Sequence, residues 1–149
     1  PTANADTVSA VEDTARIIDA SELLGNDTPG TGESDTLVIN DVESLTAGAT
    51  VALNGSGNVD FTPSLDFNGQ YRFRYRARDN GTPNQLSAYA TVVVNVSAVN
   101  DAPETVNDNV TGAVEDTPRT IAISSILTND RPGPLTATDE QRPAQDVTL

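Results

Sequence analysis

A stretch of five residues, Ala10-Val11-Glu12-Asp13-Thr14, returns later in the chain as Ala113-Val114-Glu115-Asp116-Thr117. Continuing both copies in step sets Leu24 against Leu127, Asn26 against Asn129 and Asp27 against Asp130, always at an offset of 103 residues. A missed repeat would misread the whole fold, so the period comes first. At usual domain sizes of roughly 100–150 residues, each copy is a domain in its own right. The 149 residues then hold one complete unit, residues 1–102, and the opening of a second of the same type, residues 103–149.

Within the first unit the strongest pattern runs from Gln70 to Asp79, where Tyr71, Phe73, Tyr75 and Ala77 alternate with Arg72, Arg74, Arg76 and Arg78. Successive side chains of a strand point to opposite faces, so a period of two puts the aromatic face in a core and the arginines in water. The run Leu86 to Val96 repeats the pattern, with Leu86, Ala88, Ala90, Val92, Val94 and Val96 on one side and Tyr89, Thr91, Val93 and Asn95 on the other. Between the runs, Asn80 to Gln85 carries Asn, Gly and Pro, which predicts an antiparallel hairpin. Shorter strands are predicted at Asp6–Val11, Thr36–Asp41, Thr50–Leu53 and Asn58–Thr62, with a short helix or turn at Ala20–Leu24. Many short strands and few helices in about 100 residues predict an all-β fold, a Greek-key sandwich of the Ig-like kind.

The chemistry is bounded by what is missing. The sequence has no His, Cys, Met or Trp, and all eight basic residues are Arg. That removes the commonest general base, the thiol nucleophile and the ligands that zinc, copper and haem prefer. Without disulfides the chain holds itself by packing, hydrogen bonds or hard-metal ligation. Twenty-two acidic residues leave a net charge of −14. Such a surface repels phosphate backbones and anionic lipid, so neither nucleic-acid binding nor membrane docking is expected. No apolar run reaches the roughly 18 residues of a membrane span, and the chain opens at Pro1, not at a charged and apolar leader. It reads as an internal piece of something longer. Ser and Thr lack an activating His or Lys, and close carboxylate pairs arise by chance among so many acids, so no enzyme is expected.

Oxygen donors remain. Acidic residues fall at strand ends and linkers: Glu12-Asp13, Asp27, Asp66, Asp79, Asp101 and Asp108. They suit a discontinuous site for calcium, which takes six to eight oxygens, the plainer alternative being solvated turn residues that accept local backbone hydrogen bonds. Neither a contiguous EF-hand loop nor a glycine-rich nonapeptide is present. Asp35 follows a Gly- and Ser-containing loop and matches no ligand motif. The arginine row either pairs with acidic residues on neighbouring strands or grips an anionic polysaccharide.

The segment Ala77-Arg78-Asp79-Asn80-Gly81-Thr82-Pro83, then Leu86-Ser87 and the closing Val99-Asn100-Asp101-Ala102-Pro103, resembles the end of a cadherin repeat. Together with the opening Glu-Asp-Thr and the Leu24, Asn26, Asp27 segment, the first unit is similar to the bacterial cadherin-like tandem repeats of large secreted adhesins. The resemblance implies calcium where two repeats meet. Carried over, the x-E-x glutamate is Glu12, the D-R-E motif falls on Asp66-Phe67-Asn68, the linker contributes Asn100 and Asp101, and the next repeat's D-x-D falls on Asn129 and Asp130. Ala98 and Ala102 replace two linker ligands, and Asn68 stands where the motif has Glu, so fewer charges imply fewer ions or a weaker site.

The reading is an extracellular or cell-surface structural module, bacterial by resemblance, whose partners are neighbouring repeats of the same polypeptide stiffened by calcium. Polysaccharide or another adhesin chain are further partners to consider. One rival is a carbohydrate-binding module of a secreted enzyme, disfavoured by 4% aromatics and no Trp. Another is a filament subunit whose unfinished second unit is completed by strand exchange.

Overall fold

The computed structural model describes residues 1–30 and 32–131. The chain divides into two units, Pro1–Val99 and Asn100–Leu149. The division falls three residues before the boundary expected from the repeat. In the first unit Glu12 N–H bonds Ser97 O at 3.0 Å and Val99 N–H bonds the Glu12 carboxylate, so the unit's own hydrogen bonds reach as far as Val99.

Unit 1 is a two-sheet sandwich. Its strands are β1 (Asp6–Val11), β2 (Arg16–Ile18), β3 (Leu37–Ser44), β4 (Ala49–Leu53), β5 (Val59–Pro63), β6 (Gly69–Asp79) and β7 (Ala90–Ser97), with helix α1 (Ala20–Leu24) between β2 and β3. One sheet has the order β1-β7-β6-β3 and the other β2-β5-β4. The chain crosses between sheets after β1, α1, β3 and β5, which gives the Greek-key connectivity. β1 lies parallel to β7, Asp6 opposite Val92 and Val11 opposite Ser97, whereas the other pairs are antiparallel.

The core follows the alternation. Tyr71, Phe73, Tyr75 and Ala77 of β6 are completely buried, and they meet Val92 and Val94 of β7, Phe61 and Val59 of β5, Ile18 of β2 and Leu23 of α1, all equally buried. Phe61 and Tyr71 rings sit 5.3 Å apart, tilted at 56°, joining the two sheets by an aromatic contact. The outward arginines pair across the sheet: Arg76 with Asp41 at 2.7 Å and Arg74 with Glu43 at 2.6 Å, each pair directly opposed in register. Both guanidiniums lie over Tyr89, at 4.1 Å for Arg74 and 4.7 Å for Arg76.

Three expectations change. β2 was not anticipated, because Arg16-Ile17-Ile18 is too short to show a period. β3 runs on to Ser44. β7 begins at Ala90 instead of Leu86: Leu86 makes only an isolated bridge with Arg78, and Ser87 takes the inward position with Leu86 exposed. The buried Ser87 hydroxyl accepts Ala77 N–H at 2.9 Å and donates to Ala88 O at 2.7 Å, so a serine occupies a core position by satisfying both of its bonds.

Unit 2 contains α2 (Ile123–Ile126) and no strand among its described residues. Its local features repeat those of unit 1. Asp13 has φ 56° and Asp116 φ 54°. Thr2 bridges Thr28, and Glu104 bridges Arg131. Asp27 accepts Asn4 N–H at 2.8 Å, and Asp130 accepts Val106 N–H at 2.8 Å. The second copy holds one more residue between its bridge and its Glu-Asp pair, a stretch that includes Gly112 at φ 81°. Apolar positions match too, yet Ile18 and Leu23 are fully buried while their counterparts Ile121 and Ile126 are 43% and 36% exposed.

Candidate functional site

Because β1 and β7 run parallel, both leave the sandwich at the same end, and the β5–β6 turn closes there as well. This exit pole gathers Glu12 and Asp13, just after β1, with Asp66 and Asn68, just before β6. Glu12 is completely buried and Asp66 is 6% exposed. Glu12 accepts Val99 N–H on one carboxylate oxygen and the Asn68 side-chain amide, at 2.9 Å, on the other. Asp13 accepts Asp66 N–H at 2.9 Å, and carboxylate oxygens of Asp13 and Asp66 lie within 4.8 Å of one another. Asp13 and Asp66 both adopt φ 56°, the left-handed region that Asp enters more readily than most residues. These backbone turns swing the two carboxylates together.

The Asp66–Asn68 segment is anchored by the residue between them. Phe67 is half-buried and packs against the core, its ring lying over Gly48, where any Cβ would collide with it. Gly48 also has φ 109°, so both its conformation and its lack of a side chain are required. Ser64 N–H bonds Gly48 O at 2.9 Å and Phe67 N–H bonds Ser64 O at 3.1 Å, completing the turn.

The structure thus brings Glu12, Asp66 and Asn68 together and adds Asp13. Asp13 was visible in the sequence as the second residue of the repeated Glu-Asp-Thr but was not placed in the ligand set. Asn100 and Asp101 are the next residues of the chain after Val99 and open unit 2. Asn129 and Asp130, also in unit 2, hold its entering segment: the Asn129 amide bonds Val106 O at 3.3 Å alongside the Asp130 contact to Val106 N–H.

Two further acidic groups lie elsewhere in unit 1. Asp35, expected to stand apart, has carboxylate oxygens within 4.8 Å of those of Glu33 and Asp79. Asp79 is 4% exposed and accepts Gln85 N–H at 2.7 Å. At the pole where the chain enters, Asp6 and Asp27 both face the Tyr75 hydroxyl, at 3.1 and 2.8 Å. Burial, then the Asp27 charge, push the Asp6 carboxyl up to about 6, against the hydrogen bonds from Tyr75 and Asn26. Burial, then the two carboxylates, push the Tyr75 hydroxyl upward.

A family model described as a cadherin-like domain matches residues 1–96. A search of curated proteins found no match. Among solved structures, a nucleoside hydrolase-related hypothetical protein from Saccharophagus degradans, described as associated with carbohydrate metabolism, is 21% identical with TM-score 0.39, covering 62% of this chain and 22% of its own. A Vibrionaceae Photobacterium 2,6-sialyltransferase is 15% identical with TM-score 0.41, covering 68% and 20%. This chain spans about a fifth of each of those proteins, and likenesses at these scores carry no argument about activity. The family match spans most of the chain and coincides with the sandwich and its exit pole, so the chain belongs to the cadherin-like domain family.

Proposed function

We propose that unit 1 is a calcium-stiffened repeat of an extracellular structural or adhesion protein, with the exit pole as its metal centre. A cadherin-like domain is an adhesion or structural module of the extracellular kind and not a catalytic one. The observation that carries the reading is the burial of Glu12 and Asp66 at one pole beside Asp13, with carboxylate oxygens of Asp13 and Asp66 within 4.8 Å of one another. Buried carboxylates are costly unless paired or metal-bound. Amide N–H groups of Val99 and Asn68 bond the Glu12 carboxylate, and Asp66 N–H bonds that of Asp13.

The donor set fits the ion. All the groups are hard oxygens, and three of the four side chains are carboxylates. Glu12, Asp13, Asp66 and the Asn68 amide oxygen would hold calcium from unit 1, and Asn100 and Asp101 are the next oxygens along the chain. Calcium supplies charge neutralisation and a multidentate clamp at the point where the polypeptide leaves one repeat for the next. The side chains themselves fix the last residue of the repeat, since Glu12 grips Val99 N–H. Stiffness along a series of such repeats follows from that grip.

Calcium should raise the melting midpoint. At a hundredfold excess over its dissociation constant the gain is about 2.7 kcal/mol, roughly 10–20 °C for a domain of this size. Magnesium should do less, because it demands tighter octahedral geometry and dehydrates reluctantly. Identical melting curves in millimolar calcium and in chelator would refute the reading.

A further inference from the structure

The four edge strands of the sandwich are not equally defended. β3 carries Asp41 and Glu43 and shifts register between Ile39 and Asp41. β2 is three residues long, includes Arg16 and lies between Asp13 and Asp19. β1 begins at Asp6 and runs into Glu12 and Asp13. Charge, broken register and shortness are the usual means of keeping an edge, with its free N–H and C=O groups, from pairing with another chain. β4 has no charge, proline or register shift. It pairs with β5 from Ala49 to Leu53 in unbroken register, and no charged residue occurs from Ser44 to Val59. On its other side no strand lies beside it in its sheet.

The apolar layer is unfinished on that same side. Val59, Phe61 and Pro63 of β5 are buried, whereas Ala49, Val51 and Leu53, their cross-strand partners on β4, pack against the core and remain half-buried. The turn after β5, tied to the start of β4 by the bond from Ser64 N–H to Gly48 O, presents Leu65 at 78% exposure. On the outer face Thr50 and Ala52 are exposed, and the charge in register with them is Asp60 of β5, opposite Ala52 and bonded by the Asn54 amide at 2.7 Å.

We propose that the β4 edge is a self-association surface, on which a second copy of this chain pairs its own β4 antiparallel about a two-fold axis. Charge selects this occupant. Two copies at −14 repel each other over most approaches, and a charged edge paired with itself meets its own sign. β4 meets only neutral residues. With the axis at Val51, Val51 faces its own counterpart, Thr50 faces Ala52 and Ala49 faces Leu53. The two three-stranded sheets become one of six, and the half-buried row gains cover on its open side. A two-fold contact uses the edge once in each copy, so association stops at a dimer. None of this depends on the calcium reading, and the test is run in chelator so that no ion at the exit pole bridges two copies.

The experiment is sedimentation equilibrium of the whole chain over a range of protein concentrations, in chelator and in high salt to screen the repulsion. Five residues pair over a small area, so a weak dimer that dissociates on dilution is expected. Hydrogen exchange at the amides of Ala49 to Leu53 should slow as the dimer forms. Thr50 is exposed and lies opposite Thr62, so Thr50→Glu keeps the fold while setting like charges on both sides of the axis. It should weaken the dimer at least about tenfold. Thr7→Glu adds the same charge on the exposed face of β1 in the other sheet and should change the dimer by less than about twofold. A chain that stays monomeric at every concentration, growth beyond a dimer, equal losses in the two variants, or β4 amides whose exchange ignores concentration would each overturn the proposal.

Discussion

The two poles of the sandwich are both acidic and are built on opposite logic. At the exit pole N–H groups turn toward Glu12 and Asp13: Val99 N–H and the Asn68 amide to Glu12, Asp66 N–H to Asp13. At the entry pole, acceptors outnumber protons around Tyr75. The first arrangement fixes carboxylates by donors from the backbone and an amide, which suits the calcium centre proposed there. The second crowds oxygens around a single hydroxyl. Charge count alone does not separate these cases, but the donor-to-acceptor balance does.

Deleting one carboxylate at each pole breaks the comparison most sharply. Glu12→Ala strands two buried donors and leaves a cavity, for an expected loss of about 2–4 kcal/mol in denaturant unfolding without calcium. Asp27→Ala should cost only about 1 kcal/mol, because Tyr75 keeps other acceptors and the principal loss is the Asn4 bond. Equal costs would mean that the donor balance at the two poles does not govern their energetics. A change of pH sharpens the contrast. The hydrogen bond from Arg76 holds Asp41 below its usual 3.8, so Asp41 supports the fold above about 4 and loses that support as pH falls through its folded value. Asp6 works with the opposite sign. Asp41→Asn should therefore narrow the gap between the melting points at pH 7 and pH 3, whereas Asp6→Asn should not. The smallest effect is expected from Glu43→Ala on the exposed sheet face, below about 1 kcal/mol.

Much of the sandwich was legible, because β6 advertises its two faces over eleven residues and β7 follows in phase from Ala90. The start of β7 was not legible, since Ser87 enters the core by hydrogen bonding and carries no apolar signal. Glu12, Asp66 and Asn68 were found through resemblance, and periodicity alone would not have joined residues 56 positions apart. Asp13 needed its backbone turn. The entry-pole contacts left no trace in sequence: Tyr75 reads correctly as a core residue by its ring, while its hydroxyl reaches Asp27 and Asp6, 48 and 69 residues away. Asp35 shows the converse, an acid with no recognisable motif that nonetheless converges with Glu33 and Asp79.

That second cluster supplies the control for the central claim. Calorimetric titration of calcium into the whole chain, its Asp66→Asn variant and its Asp35→Asn variant, at one ionic strength, removes one charge from each cluster in turn. If the exit pole is the metal centre, Asp66→Asn weakens binding at least about tenfold, on the order of 1.4 kcal/mol, and Asp35→Asn leaves it within the screened long-range effect of a few tenths of a kcal/mol. Equal losses in the two variants, or a loss confined to Asp35→Asn, would contradict the account.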